Sequence, residues 1–187
     1  PPYQILSTKW LSFSDICHWE QIEHLLNIYY NSHNFPKTFI ELELLYKSPF
    51  ELFSGILLFF QKNNFKLNSK DWQTNASGLL EFISENHPDD ITFFKDCLRW
   101  DWCYLANSHY YPPFIDSAKL HATRKKHNNK LKTDISSHNL KCIIYLLIET
   151  EEFAKKYSKN CREIAWLHRR DRIERICLDD YSILSTE

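Results

Sequence analysis

Two glycines in 187 residues constrain this chain more than any other feature. Gly55 and Gly78 both sit inside stretches whose apolar spacing is helical. Glycine is the default residue where backbone turns with positive φ or presses against a phosphate. A sandwich or barrel of many tight turns therefore does not fit this composition. Phosphate-cradling loops of the GxGxxG or GxxxxGK[ST] kind cannot be written with two separated glycines. What remains is a helical protein with few sharp turns, long enough at 187 residues to bury roughly 70% of its unfolded surface without metal or disulfide.

Aromatic residues supply much of the core, with 13 Phe, 10 Tyr and 6 Trp. The helices follow from start signals and periodicity. Ser12 and Asp15 make an S-x-x-D start, and Ile16, Trp19, Ile22, Leu25, Leu26 and Tyr29 form one face of a helix over 13–31. A second helix is expected over 36–47. Ser48-Pro49-Phe50-Glu51 combines a serine cap, proline at the first helical position and glutamate at the third. The helix it starts, to about residue 63, is apolar nearly all round and reads as the central one. Further helices are expected over 70–86 and from Asp89 or Asp90 through Leu105.

Residues 117–133 differ in kind. Lys119, Arg124, Lys125, Lys126, Lys130 and Lys132 have no acidic residue between them, and only Leu120 and Leu131 are strongly apolar. This pattern reads as a solvated helix or connector. Beyond His138 the period changes. Residues 142–148 form a short apolar strand, 150–157 a short helix, and 163–168 and 173–178 two strands joined across Arg169-Arg170-Asp171-Arg172. The expected fold is mainly α, about five helices in a bundle, with a small C-terminal antiparallel β element, α+β overall. Its parts are a helical bundle over 1–116, a basic connector over 117–138 and a β-containing subdomain over 139–187 packed on the bundle as one domain.

Net charge is −1, which points to neither nucleic acid nor a membrane surface. The cysteines, Cys17, Cys97, Cys103, Cys142, Cys161 and Cys177, form neither CxxC nor CxxxCxxC, and read as reduced thiols in a cytoplasmic protein. The absence of Met and the Pro1-Pro2 opening suggest a piece of a longer chain.

Four ordered segments carry a resemblance to a known family: PYQILSTKWLSFSDI with the YYNS helix end, LYKSPFELF, RWDWCYLANSHYYPPF and, more loosely, WLHRRDR. In this order they resemble the uncharacterised domain that follows the barrel in bacterial cobalamin-binding radical SAM proteins. Relatives usually carry proline where Arg172 stands here. The resemblance implies an accessory, non-catalytic domain that packs on the barrel and shapes substrate access. It implies as partners the barrel and cobalamin-binding domain of the same chain. The implied cofactors, S-adenosylmethionine, a four-iron four-sulfur cluster and cobalamin, belong to the parent and not to these residues.

Several polar groups are candidate sites. Arg169, Arg170, Asp171 and Arg172 read either as a grip for a phosphate, carboxylate or neighbouring domain, or as a solvated hairpin tip with a local ion pair. The basic residues of 117–133 support an alternative function, an interaction module binding RNA or an acidic partner, although the stretch lacks the aromatics that single-strand binders stack on. Glu20 and His24 lie one turn apart on the first helix without an HExxH motif, and Cys97 and Cys103 near His109 read as core. No nucleophile–base pair or catalytic residue is recognisable.

Overall fold

A computed structural model describes residues 9–67, 69, 71–105, 111–112, 114–134 and 139–186, with backbone alone for 132–134 and 185–186. The lead-in 1–8, His109 and part of the connector lie outside the described residues. The chain divides into two units, residues 1–86 and 87–187. The division falls before the fifth helix, which belongs with the sheet, whereas the sequence carried the helical bundle to residue 116.

The first unit holds helices α1 (Phe13–Leu26), α2 (Pro36–Glu43), α3 (Pro49–Lys62) and α4 (Trp72–Asn86). The α1 start is a capping box: Ser12 Oγ accepts from the Asp15 amide at 3.2 Å, and Asp15 accepts from the Ser12 amide at 2.9 Å. At α3, Ser48 Oγ accepts from the Glu51 amide while the Glu51 carboxylate reaches back to the Lys47 amide. Both starts satisfy amides that the first helical turn leaves without partners. α3 buries Leu52, Phe53, Ile56, Leu57, Phe59 and Phe60 and is the centre of this unit. Around it the rings of Tyr29, Phe35, Phe39 and Phe53 pack in series with centroids 5.4–5.7 Å apart. The Tyr29 hydroxyl donates to the Asn75 carbonyl, which lets a phenol sit in the core.

The second unit holds α5 (Ile91–Leu105), α6 (Ser117–Asp134), β1 (Leu140–Leu147), α7 (Glu151–Tyr157), β2 (Glu163–Arg169), β3 (Ile173–Cys177) and β4 (Ile183–Thr186). The strands form an antiparallel meander in the order β1-β2-β3-β4. Residues 164–168 of β2 are all buried, so both faces of the sheet are covered there. Trp166 meets Trp100 of α5 edge-on at 4.9 Å, and His168 Nε2 donates to the Cys103 carbonyl of α5. Glu163, on the opposite parity, meets α6 through His127.

The mainly helical α+β class and the antiparallel element agree with the sequence. β4 was not expected. The 117–133 segment is a helix, and Leu120, Thr123, His127 and Leu131 at steps of three and four make its buried stripe. Thr123 and His127 hide that stripe from a purely hydrophobic count, because each contributes a polar side chain to a packed face. Among the described residues no helix is long and apolar enough to cross a membrane.

Candidate functional site

The Arg-rich turn lies between β2 and β3, with Arg169 directly following His168 and Glu174 paired with Leu167. Glu174 organises it. The Arg169 guanidinium donates to one Glu174 oxygen at 2.8 Å and the Arg172 guanidinium to the other at 2.7 Å, while Arg172 also reaches Asp171 at 3.1 Å. Partial burial pushes the Glu174 carboxyl up, but the two guanidinium groups more than offset it and hold its pKa below the ordinary range. Two of the three arginines therefore neutralise a carboxylate of their own hairpin. Arg170 and Arg172 are both exposed, and Arg172 engages its guanidinium with Glu174 and Asp171. Glu174 was missed in the sequence because its role appears only once the strand register is known.

The basic residues of α6 are partly engaged as well. Lys119 pairs with Asp116 at 3.6 Å, Lys126 with Glu163 at 3.1 Å, and Lys130 lies 3.6 Å from the centroid of the Tyr181 ring. Arg124 and Lys125 are exposed, and the side chain of Lys132 lies outside the described residues. The face is thus a mixed one, tied at intervals to the sheet.

A denser polar cluster stands where α6 meets the start of β2 and the β3–β4 turn. Buried His127 bridges two groups: Nδ1 is 2.7 Å from the Tyr181 hydroxyl and Nε2 is 2.9 Å from Glu163 Oε2. Burial pushes Glu163 up, but hydrogen bonds and charge from Lys126 and His127 outweigh it and hold the carboxyl low. An ionised Glu163 fixes the His127 tautomer with the proton on Nε2, and Nδ1 then accepts from Tyr181. Tyr181 itself has a left-handed backbone, φ 61°. This Tyr–His–Glu chain orients a phenol at a partly exposed position, and it can relay a proton along its length. Three residues with no sequence motif assemble it, which is why the sequence did not reveal it.

Beside it, Cys161 and Cys177 are joined in a disulfide, whereas the sequence read all six cysteines as thiols. The hairpin causes this. Its register pairs Ile164 with Cys177, which brings Cys161, three residues before Ile164, to the end of the same strand pair. The four-residue turn 169–172 was the available signal, since it fixes that register. Cys97 and Cys103 are fully buried on α5, and burial pushes the Cys103 thiol well up. On α1, His24 Nε2 is bound at 2.7 Å to the Leu67 carbonyl.

The first unit offers a different kind of surface. The last turn of its opening helix, Asn27–Asn31, is a π-helix, and His33 follows with φ 55°. A cavity of about 220 Å³ opens there, lined by Tyr29, Tyr30, Phe35, Phe39 and Ile40 with Glu43 at its edge. Trp19 of α1 and Phe50 of α3 pack with tilted rings, centroids 5.2 Å apart, and each stays 49% exposed. Trp10, Phe13, Leu44 and Leu58 are more exposed still. Among the described residues of the second unit, the exposed large hydrophobic side chains are Tyr104, Leu105 and Ile183.

No curated protein and no solved structure matches this chain. A family model described as a protein of unknown function (DUF4080) matches residues 1–168, and the chain belongs to that family.

Proposed function

We propose that this chain is an accessory, non-catalytic domain of a cytoplasmic cobalamin-dependent radical SAM enzyme, packing on the barrel of the same protein and shaping substrate access. The observation that carries the reading is the exposed aromatic surface of the first unit. A Trp19–Phe50 ring pair left half open to solvent, with Phe13 and Leu58 exposed on the same two helices, is what a face that receives another protein surface looks like. The ordered segments LSFSDI, YYNS, LYKSPFELF and RWDWCYLANSHYYPPF support the assignment of that other surface to a radical-SAM barrel.

S-adenosylmethionine, the four-iron cluster and cobalamin belong to the parent in this reading. The six cysteines here do not supply a CxxxCxxC ligand set, so no step of the parent's chemistry is assigned to these residues. Reading the coding frame upstream tests the proposal. The expected result is a cobalamin-binding region and a CxxxCxxC run encoded ahead of Pro1. A start codon immediately ahead, with neither element, would overturn it.

A further inference from the structure

We propose that Cys161, Cys177 and Asp179, with the cysteines reduced, form a binding site for a thiophilic divalent cation of the zinc class, and that the disulfide is the oxidised state of the same pair, which cannot hold the cation. The three ligand atoms lie within 4.8 Å of one another. Asp179 Oδ2 is 3.7 Å from Cys161 Sγ and 3.8 Å from Cys177 Sγ. A tetrahedral site with zinc–sulfur bonds of ~2.3 Å and zinc–oxygen bonds of ~2.0 Å has sulfur–oxygen edges of about 3.5 Å. Those two edges are nearly in place. Only the sulfur–sulfur edge must open, to about 3.8 Å by the same geometry, and side-chain rotation supplies that.

The ligands stand on backbone that is already held. Cys161 leaves the turn that ends α7, where buried Ser158 Oγ stands within hydrogen-bond reach of the Ala154 and Cys161 carbonyls and donates its one proton between them, and Lys159 and Asn160 are left-handed. Cys177 donates its amide to the Ser182 carbonyl, and Asp180 accepts from the Ser182 amide, which closes the turn carrying Asp179. The cysteines are 4% and 5% exposed, whereas Asp179 faces solvent. A cavity of about 300 Å³, lined also by Lys159, Asp180 and Ser182, gives the cation an entry path and room for a water in the fourth position. Cys177 and Asp179 lie beyond the matched segment 1–168, so the site belongs to this chain and not to what the family match covers.

Interconversion needs a thiol or disulfide partner. A low-molecular-weight thiolate attacks one Sγ and breaks the disulfide, a second thiolate cleaves the mixed disulfide, and the two small thiols leave as their own disulfide. The cation then displaces the remaining thiol protons. In reverse, a small disulfide takes two electrons from the thiolates, two small thiols form and the cation is released. In the reduced, metal-free state the Glu163 carbonyl, 3.1 Å from Cys161 Sγ, accepts the thiol proton.

Cobalt(II) titration of the whole chain, reduced with a phosphine, tests the site. The expected result is one ion per chain with thiolate-to-cobalt charge-transfer absorption, bleached by one equivalent of zinc and absent from the unreduced chain. Zinc should shield Cys161 and Cys177 from alkylation while leaving Cys17 and Cys142 reactive. Asp179→Ala, at an exposed position that leaves the fold intact, should weaken cobalt by about tenfold or more, at least what loss of an outer partner costs. Charge transfer that is absent in the reduced chain or persists in Cys161→Ser, equal alkylation with and without zinc, or unchanged affinity in Asp179→Ala would each overturn the proposal.

Discussion

Replacing Asp96 with alanine removes the acceptor on which the corner between β1 and α7 closes. Asp96 is 0% exposed. Its carboxylate accepts from the Glu149 amide at 3.1 Å, the Thr150 amide at 2.8 Å, the Thr150 hydroxyl at 2.7 Å and Arg99 at 3.0 Å. Arg99 also reaches Glu149 at 3.2 Å, so it keeps one partner when Asp96 is gone. Adding four charge-assisted bonds at ~1.5–3 kcal/mol each overcounts, because all four share one desolvated carboxylate. The better comparison is a buried ion pair broken from one side, which costs ~3–5 kcal/mol. For a chain of this size that lowers the melting midpoint by about 6–20 °C. Asp96→Asn keeps one acceptor oxygen and the side-chain shape and should lose about half as much. Urea unfolding by circular dichroism gives the free energy, and hydrogen exchange should place the loss in β1 and α7. A cost for Asp96→Ala below about 1 kcal/mol, the ordinary net worth of one hydrogen bond, would refute the reasoning.

Other substitutions separate packing, titration and charge. Gly55→Ala should stabilise by ~1 kcal/mol through helix propensity, since its Cβ meets the Phe82 ring at an ordinary 3.8 Å, while Gly78→Ala should gain nothing because Phe60, itself buried, stands 3.1 Å away; equal midpoints for the two variants would contradict this. Burial lowers the His168 pKa below its ordinary 6.5, despite the opposing bond to the Cys103 carbonyl, so the folded chain takes up that proton at lower pH than the unfolded chain. Its contribution is therefore full above about pH 6.5 and is lost as pH falls from there through the folded pKa; stability of His168→Gln should fall less steeply than wild type over that window, and identical slopes would reject the assignment. At the hairpin tip, Glu174→Ala should cost about 1–3 kcal/mol in urea unfolding by removing the carboxylate that Arg169 and Arg172 share, whereas Arg170→Ala should cost less than about 0.5 kcal/mol; the reverse order would restore Arg170 as the residue that matters.

Local signals carried the fold. Ser12-x-x-Asp15 and Ser48-Pro49-Phe50-Glu51 are read within one turn of chain, and the structure shows both as capped helix starts. The β2–β3 hairpin was legible from its two apolar runs. β4 was not, because Ile183–Thr186 pairs with β3 through register alone and its Ile183 is 63% exposed. Asp96 and Arg99 sit within an aromatic helix, and charged residues inside an apolar stripe are the available signal that a buried network lies there. The polar cluster needed distant pieces: Lys126 and His127 come from α6, Glu163 from β2, and Tyr181 from a left-handed turn. No spacing along the chain encodes that meeting, just as none encodes Cys161 beside Cys177 without the hairpin register.

Docking of the first unit is the central claim, and hydroxyl-radical footprinting of the full parent protein tests it most directly. Trp19 and Phe50, half exposed in this chain, should become protected when the parent is intact, along with Phe13 and Leu58 on the same helices. Tyr104 and Leu105 of the second unit serve as exposed internal references. Protection of the α1–α3 residues against unchanged references is the expected result. Oxidation of Trp19 and Phe50 in the intact parent at the rate set by their exposure in this chain would contradict the account.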